Sequence, residues 1–298
     1  MKHLFIVNPI SGGKDHTEEV RAAATEALGE GGFELYVTKG PLDATEEAKR
    51  RGESGEEYRI YSCGGDGTFN ECVNGACGFS NLAVAPFPLG TGNDFCRMFG
   101  DEAQLYRDLG ALTKGGTTKI DVIDCNGRKC DCICSVGIDA RVGCSVHDYP
   151  SWLGSAAYVV ALIVELAHGL NTEMKITCGD FTAEGKFMLC CVCNGRHYGG
   201  GFQPSLNAMP NDGDLDIYAV KKMSLPQIIA NIGKYANGRS DEVPQYVYHL
   251  HGDSIKLELK EDTVINLDGE AIKAKTADIK LLHHALNLIV PAGMKFFD

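Results

Sequence analysis

Basic residues are scarce in this 298-residue sequence: 28 Lys and Arg stand against 40 Asp and Glu, a formal net charge of −12. Binding to duplex nucleic acid depends on Lys and Arg that neutralise phosphates, so nucleic acid is not an expected partner. The same charge argues against loose adhesion to anionic lipid, although it leaves room for a local apolar or basic contact surface.

Long apolar runs are also missing. A membrane-spanning helix needs roughly 20 apolar residues, and the longest candidate, Trp152–Leu170, is interrupted by Gly154, Ser155 and Glu165. It is therefore expected to be a buried helix, and no transmembrane segment is predicted. The apolar start Leu4–Val7 is too short for a signal peptide and is interpreted as a first strand.

The 13 cysteines are an odd number, in a chain without a recognisable leader. They predict reduced thiols in a cytosol rather than a disulfide scaffold. Two cysteine groups could suggest zinc: Cys125, Cys130, Cys132 and Cys134, and Cys190, Cys191 and Cys193. Alternating cysteines on a strand are better explained as small core side chains. The histidines His147, His197, His249, His251, His283 and His284 have no evident partner and are expected to be solvated or satisfied locally.

Residues 1–118 alternate strand and helix patterns, which predicts an α/β domain with a parallel sheet and helices on both faces. The predicted strands are Leu4–Val7, Phe33–Thr38, Arg59–Cys63 and Leu82–Pro86, and the predicted helices are His16–Gly29, Thr45–Arg51 and Gly67–Gly75.

Residues 119–290 change to short alternating runs, which predict an antiparallel β-rich domain with one or two helices. Asn126-Gly127 is typical of a tight hairpin turn. Further strands are predicted at Glu173–Thr177, Phe181–Glu184, Phe187–Asn194, Leu215–Val220, Ser254–Leu259, Val264–Leu267 and Leu286–Val290, with a second helix at Pro226–Ala236.

The strongest chemical signal is Gly64-Gly65-Asp66-Gly67-Thr68, at the end of a predicted strand and the start of a helix. Glycines let backbone N–H groups approach a ligand, and a helix N-terminus favours phosphate. An aspartate there would repel phosphate unless a metal ion or hydrogen-bond donors lie between them, so the motif suggests a nucleotide with magnesium. An ordinary glycine turn with a solvated Asp66 is the simpler alternative.

Two other turns accompany this motif: NPISGGK at Asn8–Lys14 and PLGTGND at Pro88–Asp94. The first does not fit the P-loop pattern and is a weak signal alone. Each of the three turns follows a predicted parallel strand, and such turns converge on one crevice at the carboxyl edge of an α/β sheet, where ligands bind.

The motifs NPISGG, GGDGTFNE and PLGTGNDF, in this order and spacing, resemble the diacylglycerol kinase catalytic-domain family of bacterial soluble lipid kinases and their eukaryotic relatives. The resemblance continues through SVGIDA at residues 135–140, NDGDLD at 211–216 and DGE at 268–270. It implies an N-terminal domain like that of NAD kinases and phosphofructokinases, a C-terminal β-sandwich, and ATP in the cleft. It also allows residues 291–298 to return to the first domain and the chain to form a homodimer.

The resemblance implies functional residues as well. Its nucleotide contacts fall on Asn8, Pro9, Ser11, Gly12, Thr38, Gly64, Gly65, Asp66, Gly67, Thr68, Asn70, Thr91, Asn93 and Asp94. Its catalytic base falls on Glu270, and its second-domain metal site falls on Asp212 with main-chain oxygens of Met209 and Asp214. Asp66 and Asp94 belong to the acidic network that links this metal to the nucleotide.

Two positions depart from the family pattern. Gly13 stands where some members have a lysine, with Lys14 one place later, and Asp214 stands where an apolar residue is common. The role of Lys14 is therefore open, and Asp214 either strengthens the metal site or points to solvent.

The resulting expectation is an ATP- and Mg²⁺-dependent lipid kinase that phosphorylates a hydroxyl of diacylglycerol or a similar lipid. It would be cytoplasmic and peripherally associated with the membrane surface. In this mechanism Glu270 accepts the hydroxyl proton, while a plain hairpin turn at Asp268-Gly269-Glu270 is the alternative. The Arg196–Phe202 loop either admits lipid or simply connects strands.

Two other functions remain in view. A NAD kinase shares GGDGT, but this chain lacks the Asn-Asn-Glu motif that such enzymes would require. A regulatory protein that binds nucleotide or lipid without turnover is the other alternative, and the intact set of Asp66, Asp94, Asp212 and Glu270 argues against it.

Overall fold

The computed structural model describes residues 1–145, 160–161, 164–165, 169, 171–199 and 201–298. Most of the Trp152–Leu170 segment, for which a buried helix is predicted, lies outside these residues. Among the described residues, no helix is both long and apolar enough to cross a membrane.

The chain forms two compact units. The first contains Met1–Val122 and His283–Asp298, and the second contains Ile123–Leu282. The sequence-based division was 1–118 and 119–290, with a return at 291. The chain passes from one unit to the other after Val122 and again after Leu282, and both points lie within continuous strands. A change in sequence pattern therefore does not mark either boundary.

In the first unit the strands are β1 (Lys2–Val7), β2 (Glu34–Val37), β3 (Tyr58–Gly64) and β4 (Leu82–Pro88), and the helices are α1 (Thr17–Leu28), α2 (Asp43–Glu53), α3 (Asp66–Ala76), α4 (Asp94–Arg97) and α5 (Leu109–Lys114). The strands pair in parallel in the order β4-β3-β1-β2. Leu4–Val7 are fully buried, because helices cover both faces of a parallel sheet. The structure thus contains each element predicted for residues 1–118.

In the second unit the elements are β5 (Gly116–Cys125), β6 (Arg128–Cys130), β7 (Ile133–Gly137), α6 (Ile138–Ser145), β8 (Thr172–Cys178), β9 (Phe181–Cys193), β10 (Leu215–Lys221), α7 (Leu225–Ala236), β11 (Val247–Gly252), β12 (Ser254–Leu267) and β13 (Glu270–Val290). Their pairings are antiparallel, in the order β11-β10-β9-β7-β12-β13, with β8 beside β9 and β12. The end of β13 belongs to the first unit, where Leu288 pairs in parallel with Val84 of β4.

Several strand predictions in the second unit were wrong in extent. Phe181–Glu184 and Phe187–Asn194 belong to one strand, β9, which runs through Gly185 at φ 150. The two strands predicted at 254–259 and 264–267 are one strand, β12, whose register shifts between Glu258 and Thr263. β11 was not predicted, and β13 begins at Glu270 rather than Leu286. Glycine and charged residues interrupt the apolar pattern of these strands, but hydrogen bonding to neighbouring strands keeps the backbone extended across the interruptions.

The predicted turn at Asn126-Gly127 is present. Both residues have positive φ, 54 and 88, and they join β5 to β6 with Cys125 opposite Arg128. The cysteines nearby lie in the apolar core of the second unit, and burial raises the pKa of the Cys130, Cys190 and Cys193 thiols. Protonated thiols in apolar surroundings are packing groups, as the sequence favoured.

Candidate functional site

Three turns follow the carboxyl ends of neighbouring strands in the first unit: the first turn (residues 8–14) after β1, the second turn (64–68) after β3 and the third turn (88–94) after β4. Backbone hydrogen bonds join them, since Asn8 N–H donates to the Cys63 carbonyl at 3.0 Å and Leu89 N–H donates to the Gly64 carbonyl at 2.8 Å. The sheet order therefore brings the three sequence motifs to one edge.

Asn8 links the first turn to α3. Its side-chain Nδ2 donates to Thr68 Oγ1 at 3.1 Å, and its Oδ1 accepts from the Ile10 N–H at 3.2 Å. Ser11, nearly buried, donates its N–H to the Asn8 carbonyl at 3.2 Å. One asparagine thus holds both the shape of the first turn and its position beside the second.

Glycines let these turns approach each other closely. A Cβ on Gly90 would lie 2.5 Å from Gly65 Cα, and a Cβ on Gly64 would lie 2.3 Å from Thr68 Oγ1. Gly12 has φ 65, and a Cβ there would lie 2.5 Å from the Leu89 carbonyl oxygen. A larger residue at Gly12 or Gly90 would separate the turns, and one at Gly64 would displace the Thr68 side chain within the second turn.

Asp66 is the first residue of α3, and its carboxylate holds the third turn. Oδ2 accepts the Asn93 N–H and Oδ1 accepts the Asp94 N–H, each at 2.6 Å. Burial raises the pKa of Asp66, and these two backbone donors act in the opposite direction. The solvated glycine-turn alternative for Asp66 is therefore wrong: this carboxylate is enclosed and ties two turns together.

The third turn has further internal support. Asn93 adopts a left-handed conformation with φ 52, and its Nδ2 donates to the Gly90 carbonyl at 2.7 Å. Arg97 Nε donates to the Gly92 carbonyl at 2.7 Å and lies 3.4 Å from Asp94 Oδ1. Asp94 is therefore placed next to Asp66 by backbone, with a cation on its other side.

The remaining predicted nucleotide contacts differ in accessibility. Thr38 donates its N–H to the Val7 carbonyl at 2.9 Å, which places it beside the first turn. Pro9 is half-buried, whereas Gly67 and Thr91 are exposed. Asn70 is 1% exposed, and its Oδ1 accepts from Asn74 Nδ2 at 3.0 Å, so its carbonyl end faces α3 itself.

Lys14 does not replace the lysine that some family members have at the position of Gly13. Its Nζ forms an ion pair with Glu19, which also bonds His16 Nδ1 at 2.7 Å. Gly13 occupies the preceding position with φ 76, a conformation that disfavours other residues. In this chain the lysine thus belongs to the start of α1.

The second unit holds the other predicted residues. Asp268 is half-buried, has φ 51, and accepts three backbone N–H groups, from Asp131 at 2.7 Å, Cys132 at 3.2 Å and Ile133 at 2.7 Å. Burial raises its pKa, and these donors act in the opposite direction. Asp268 therefore fixes the turn between β12 and β13 to the start of β7.

Glu270 stands on the other side of that turn, opposite Leu267, so the hairpin interpretation of DGE is correct as geometry. Its side chain is 51% exposed, and Oε2 lies 3.8 Å from Arg128 Nη2. A carboxylate held by a rigid turn and open to solvent can also exchange protons with a ligand, so the turn and a role as base are compatible.

The predicted metal turn lies between Met209 and Asp214. Asp214 N–H donates to Asp212 Oδ1 at 3.1 Å, and Gly213 has φ 80. Arg196 donates to the Met209 sulfur at 3.0 Å. The Asp214 carboxylate does not simply point to solvent, because its Oδ2 lies 2.7 Å from His251 Nδ1.

Several charged contacts are not evident from the sequence pattern. His249 and His251 were expected to be solvated or satisfied locally, and the structure shows them satisfied: His249 contacts Asp216 and Asp241, and His251 contacts Asp214. Strand register creates these contacts, and only the i,i+2 spacing of the histidines could have indicated them.

Two further aspartates, one buried and one half-buried, were not identified from the sequence either. Asp121 is fully buried and accepts the His284 N–H at 2.6 Å. Asp139 accepts from Tyr198 Oη at 3.1 Å, and burial raises its pKa to about 6, against the opposing bonds from Ala140 N–H and Tyr198. Tyr198 in turn bonds Tyr235 Oη at 2.9 Å, so the loop containing Tyr198 is anchored to α7.

Comparison with known proteins gives matches along most of the chain. The diacylglycerol kinase catalytic domain matches residues 2–125, and the YegS C-terminal NAD kinase beta sandwich-like domain matches residues 132–290. "Probable lipid kinase YegS-like" of Pseudomonas aeruginosa is 30% identical over 284 residues, which cover 93% of this chain and 91% of that protein.

Two further matches have similar coverage. "Diacylglycerol kinase" of Bacillus subtilis is 27% identical over 300 residues, 96% of this chain and 95% of that protein. A crystal structure of a Bacillus anthracis protein named as a diacylglycerol kinase superposes with a TM-score of 0.76 and 26% identity, covering 97% of this chain and 96% of that one.

Proposed function

The chain belongs to the diacylglycerol kinase catalytic-domain family, and on that premise we propose that it is an ATP- and Mg²⁺-dependent lipid kinase. The resemblance read from the sequence is confirmed. The observation that carries the proposal is the junction of the three turns, with the Asp66 carboxylate bonded to the backbone of Asn93 and Asp94.

ATP is the proposed phosphoryl donor, bound at the three turns of the first unit. Phosphoryl transfer depends mainly on positioning and on neutralising charge. The glycines at 12, 64, 65 and 90 remove side chains where the turns meet, so backbone N–H groups are available to phosphate oxygens. Asn8 and Thr68, bonded to each other, would keep the first and second turns in register around the nucleotide.

Mg²⁺ suits the donor groups present, because it prefers oxygen ligands. The Asp66 carboxylate supplies oxygen donors, and Asp94 lies beside it. In the second unit, Asp212 with the Met209 and Asp214 carbonyls would hold an ion. When bound, the metal supplies positive charge against the phosphates.

Glu270 is the proposed base, and it would accept the proton of the lipid hydroxyl at Oε1 or Oε2. Its exposure allows an acceptor to approach, and Arg128 Nη2 lies 3.8 Å from its Oε2. The neighbouring Asp268 is a positioning residue, since its three backbone bonds fix the turn that carries Glu270.

A lipid acceptor requires the enzyme to bind at a membrane surface, and α7 has the features of a helix that does so. Leu225, Ile229 and Ile232 share one face of this helix and are 51%, 70% and 38% exposed. No residue of the helix is buried, and its start is fixed by a capping box between Ser224 and Gln227. An amphipathic helix with an exposed apolar face can lie in the lipid interface. We propose this face as the peripheral membrane contact of a cytoplasmic enzyme.

The test is transfer of labelled γ-phosphate from ATP to a panel of lipids in mixed micelles, run beside NAD⁺. Wild type is compared with the site variants Asp66→Ala and Glu270→Gln. The matched controls are Asp101→Asn and Glu261→Gln, which change exposed acidic residues outside the proposed site. The proposal expects one lipid class to be labelled by wild type and both controls, and not by the two site variants.

Other outcomes would redirect the proposal. Labelled NADP⁺ without lipid product would make the chain a NAD kinase. Nucleotide binding without product for any acceptor would favour the non-catalytic binding protein. Normal lipid labelling by Glu270→Gln would remove Glu270 from the mechanism while leaving the kinase intact.

A further inference from the structure

We propose that Asp216, His249 and His251 form a binding site for Zn²⁺, beside the turn of the proposed second-unit Mg²⁺ site and not required by the proposed kinase activity. One ligand atom from each residue lies within 4.8 Å of the others. Two imidazoles and one carboxylate make a donor set that suits zinc and its neighbours in the first transition row, whereas Mg²⁺ prefers oxygen alone.

Strand pairing places these residues together. β10 and β11 are antiparallel, with Asp216 opposite His251 and Tyr218 opposite His249. Residues two apart on a strand share a face, so both histidines and Asp216 stand on the same side of the sheet. A regular antiparallel pair holds such positions without a flexible loop, which favours a defined coordination geometry.

Two of the three ligand-to-ligand separations are close to those around a single ion. Asp216 Oδ1 lies 3.1 Å from His249 Nε2 and 3.5 Å from His251 Nδ1. A tetrahedral ion with bonds of about 2.0–2.1 Å has ligand-to-ligand edges of about 3.3–3.4 Å. The two separations therefore fit around one ion with small adjustments of side-chain torsions.

Surrounding groups orient the ligands. Asp241 Oδ1 lies 2.8 Å from His249 Nδ1, and Ser205 Oγ donates to Asp216 Oδ2 at 2.8 Å. The His249 ring stacks on Tyr218 with 4.3 Å between centroids. A carboxylate on the far nitrogen of a metal-bound histidine is the usual second-layer arrangement, because it fixes the tautomer and strengthens the ligand.

One tautomer of His249 suits metal binding. When Nδ1–H is donated to Asp241, the Nε2 lone pair faces the Asp216 carboxylate at 3.1 Å. A metal ion placed there would accept lone pairs from His249 Nε2, Asp216 and His251 Nδ1 together.

The site has an entrance and a fourth donor nearby. His251 is 55% exposed, so an ion can arrive from solvent. Asp214 Oδ2 lies 2.7 Å from His251 Nδ1 in a hydrogen bond that zinc would replace, and the freed carboxylate would then be available as a fourth ligand. Through Asp214, Zn²⁺ would also restrain the turn that carries Asp212, the predicted Mg²⁺ ligand.

The test measures metal content in the full chain without nucleotide or lipid. Chelator-treated protein is equilibrated with Zn²⁺ in millimolar Mg²⁺, desalted and analysed for bound zinc. We expect about one equivalent in wild type, retained in His283→Gln, an exposed histidine outside the cluster, and lost in His249→Gln, His251→Gln and Asp216→Asn. Equal zinc content in wild type and His249→Gln would overturn the proposal and leave histidine–carboxylate ion pairs only.

If the variants fail to fold, a spectroscopic measurement on wild type tests the site without them. Co²⁺ in place of Zn²⁺ should produce the visible bands of a four-coordinate ion with nitrogen and oxygen ligands, and Zn²⁺ should remove them. A strong sulfur-to-metal charge-transfer band would instead show that cysteines hold the ion, and would also overturn the assignment. Neither readout depends on kinase turnover, so failure of the site and failure of the proposed function remain distinguishable.

Discussion

The two units build their candidate sites in different ways. In the first unit, backbone makes the site: three glycine turns meet where a Cβ on Gly90 would lie only 2.5 Å from Gly65 Cα. In the second unit, side chains make it: Glu270, Asp212 and the Asp216 cluster stand on turns and strands positioned by antiparallel pairing. The comparison shows why one site is evident from short motifs, whereas the other depends on register between distant segments.

Glu270→Gln gives the largest expected effect and tests the site that side chains build in the second unit. Loss of a general base lowers the rate by roughly 10²–10⁴-fold, so we expect lipid phosphorylation to fall by that factor while ATP affinity stays unchanged. Steady-state kinetics and nucleotide titration measure the two quantities. Glu261→Gln should behave as wild type, and a parallel loss of ATP affinity would show that Glu270 acts through the nucleotide instead.

Asp139→Asn tests whether buried side chains of the second unit carry pH dependence. The pKa of Asp139 is about 6 against an ordinary 3.8, so between these values the folded chain binds more protons than the unfolded chain. Its contribution to stability is full below the ordinary pKa and is lost as pH rises through about 6.

We therefore expect the free energy of unfolding of wild type, relative to Asp139→Asn, to fall by up to roughly 3 kcal/mol between about pH 4 and about pH 7. Urea unfolding of both proteins across this range measures it. The exposed Asp180→Asn serves as control, and a constant difference between wild type and Asp139→Asn would show that Asp139 does not titrate in this window.

Gly90→Ala tests the site that backbone builds in the first unit. The added Cβ would lie 2.5 Å from Gly65 Cα, so the second and third turns must separate. We expect a loss of about 1–3 kcal/mol in unfolding free energy and at least a tenfold drop in ATP affinity, since overpacking shifts backbone. Thermal unfolding and nucleotide titration measure both. Gly116→Ala, where a Cβ meets open space, should change neither; an unaltered ATP affinity in Gly90→Ala would contradict the role of the turns.

Ile229→Ser gives the smallest expected effect on the folded chain. Ile229 is 70% exposed, so its loss should change stability by less than about 0.5 kcal/mol. Transfer of its side chain into lipid is worth about 1.5 kcal/mol or more, so we expect roughly a tenfold weaker binding to phospholipid vesicles. Vesicle sedimentation measures this, with Ala230→Ser on the opposite face as control. Equal binding of both variants would exclude α7 as the membrane contact.

Local pattern accounted for the elements of the first unit because each strand there is a short apolar run bounded by turn residues. The motif residues were also accessible to sequence reasoning, since the turns follow consecutive parallel strands. The enclosed state of Asp66 was not, because its partners Asn93 and Asp94 lie nearly thirty positions away. In the second unit, β11 has histidines at alternate positions and most of β13 has charged or polar side chains there, so neither contains an apolar run, and both were missed.

The sequence by itself determined the two kinds of region, the three turn motifs and the family resemblance, since these depend on composition and on residues close together in the chain. Tertiary structure decided what each charged group contacts: Asp268 with three backbone donors, Lys14 with Glu19, and Asp216 with two histidines. Hydrogen bonds and ion pairs act over about 3 Å. Only the pairing of strands brings residues that are far apart in the chain within that distance.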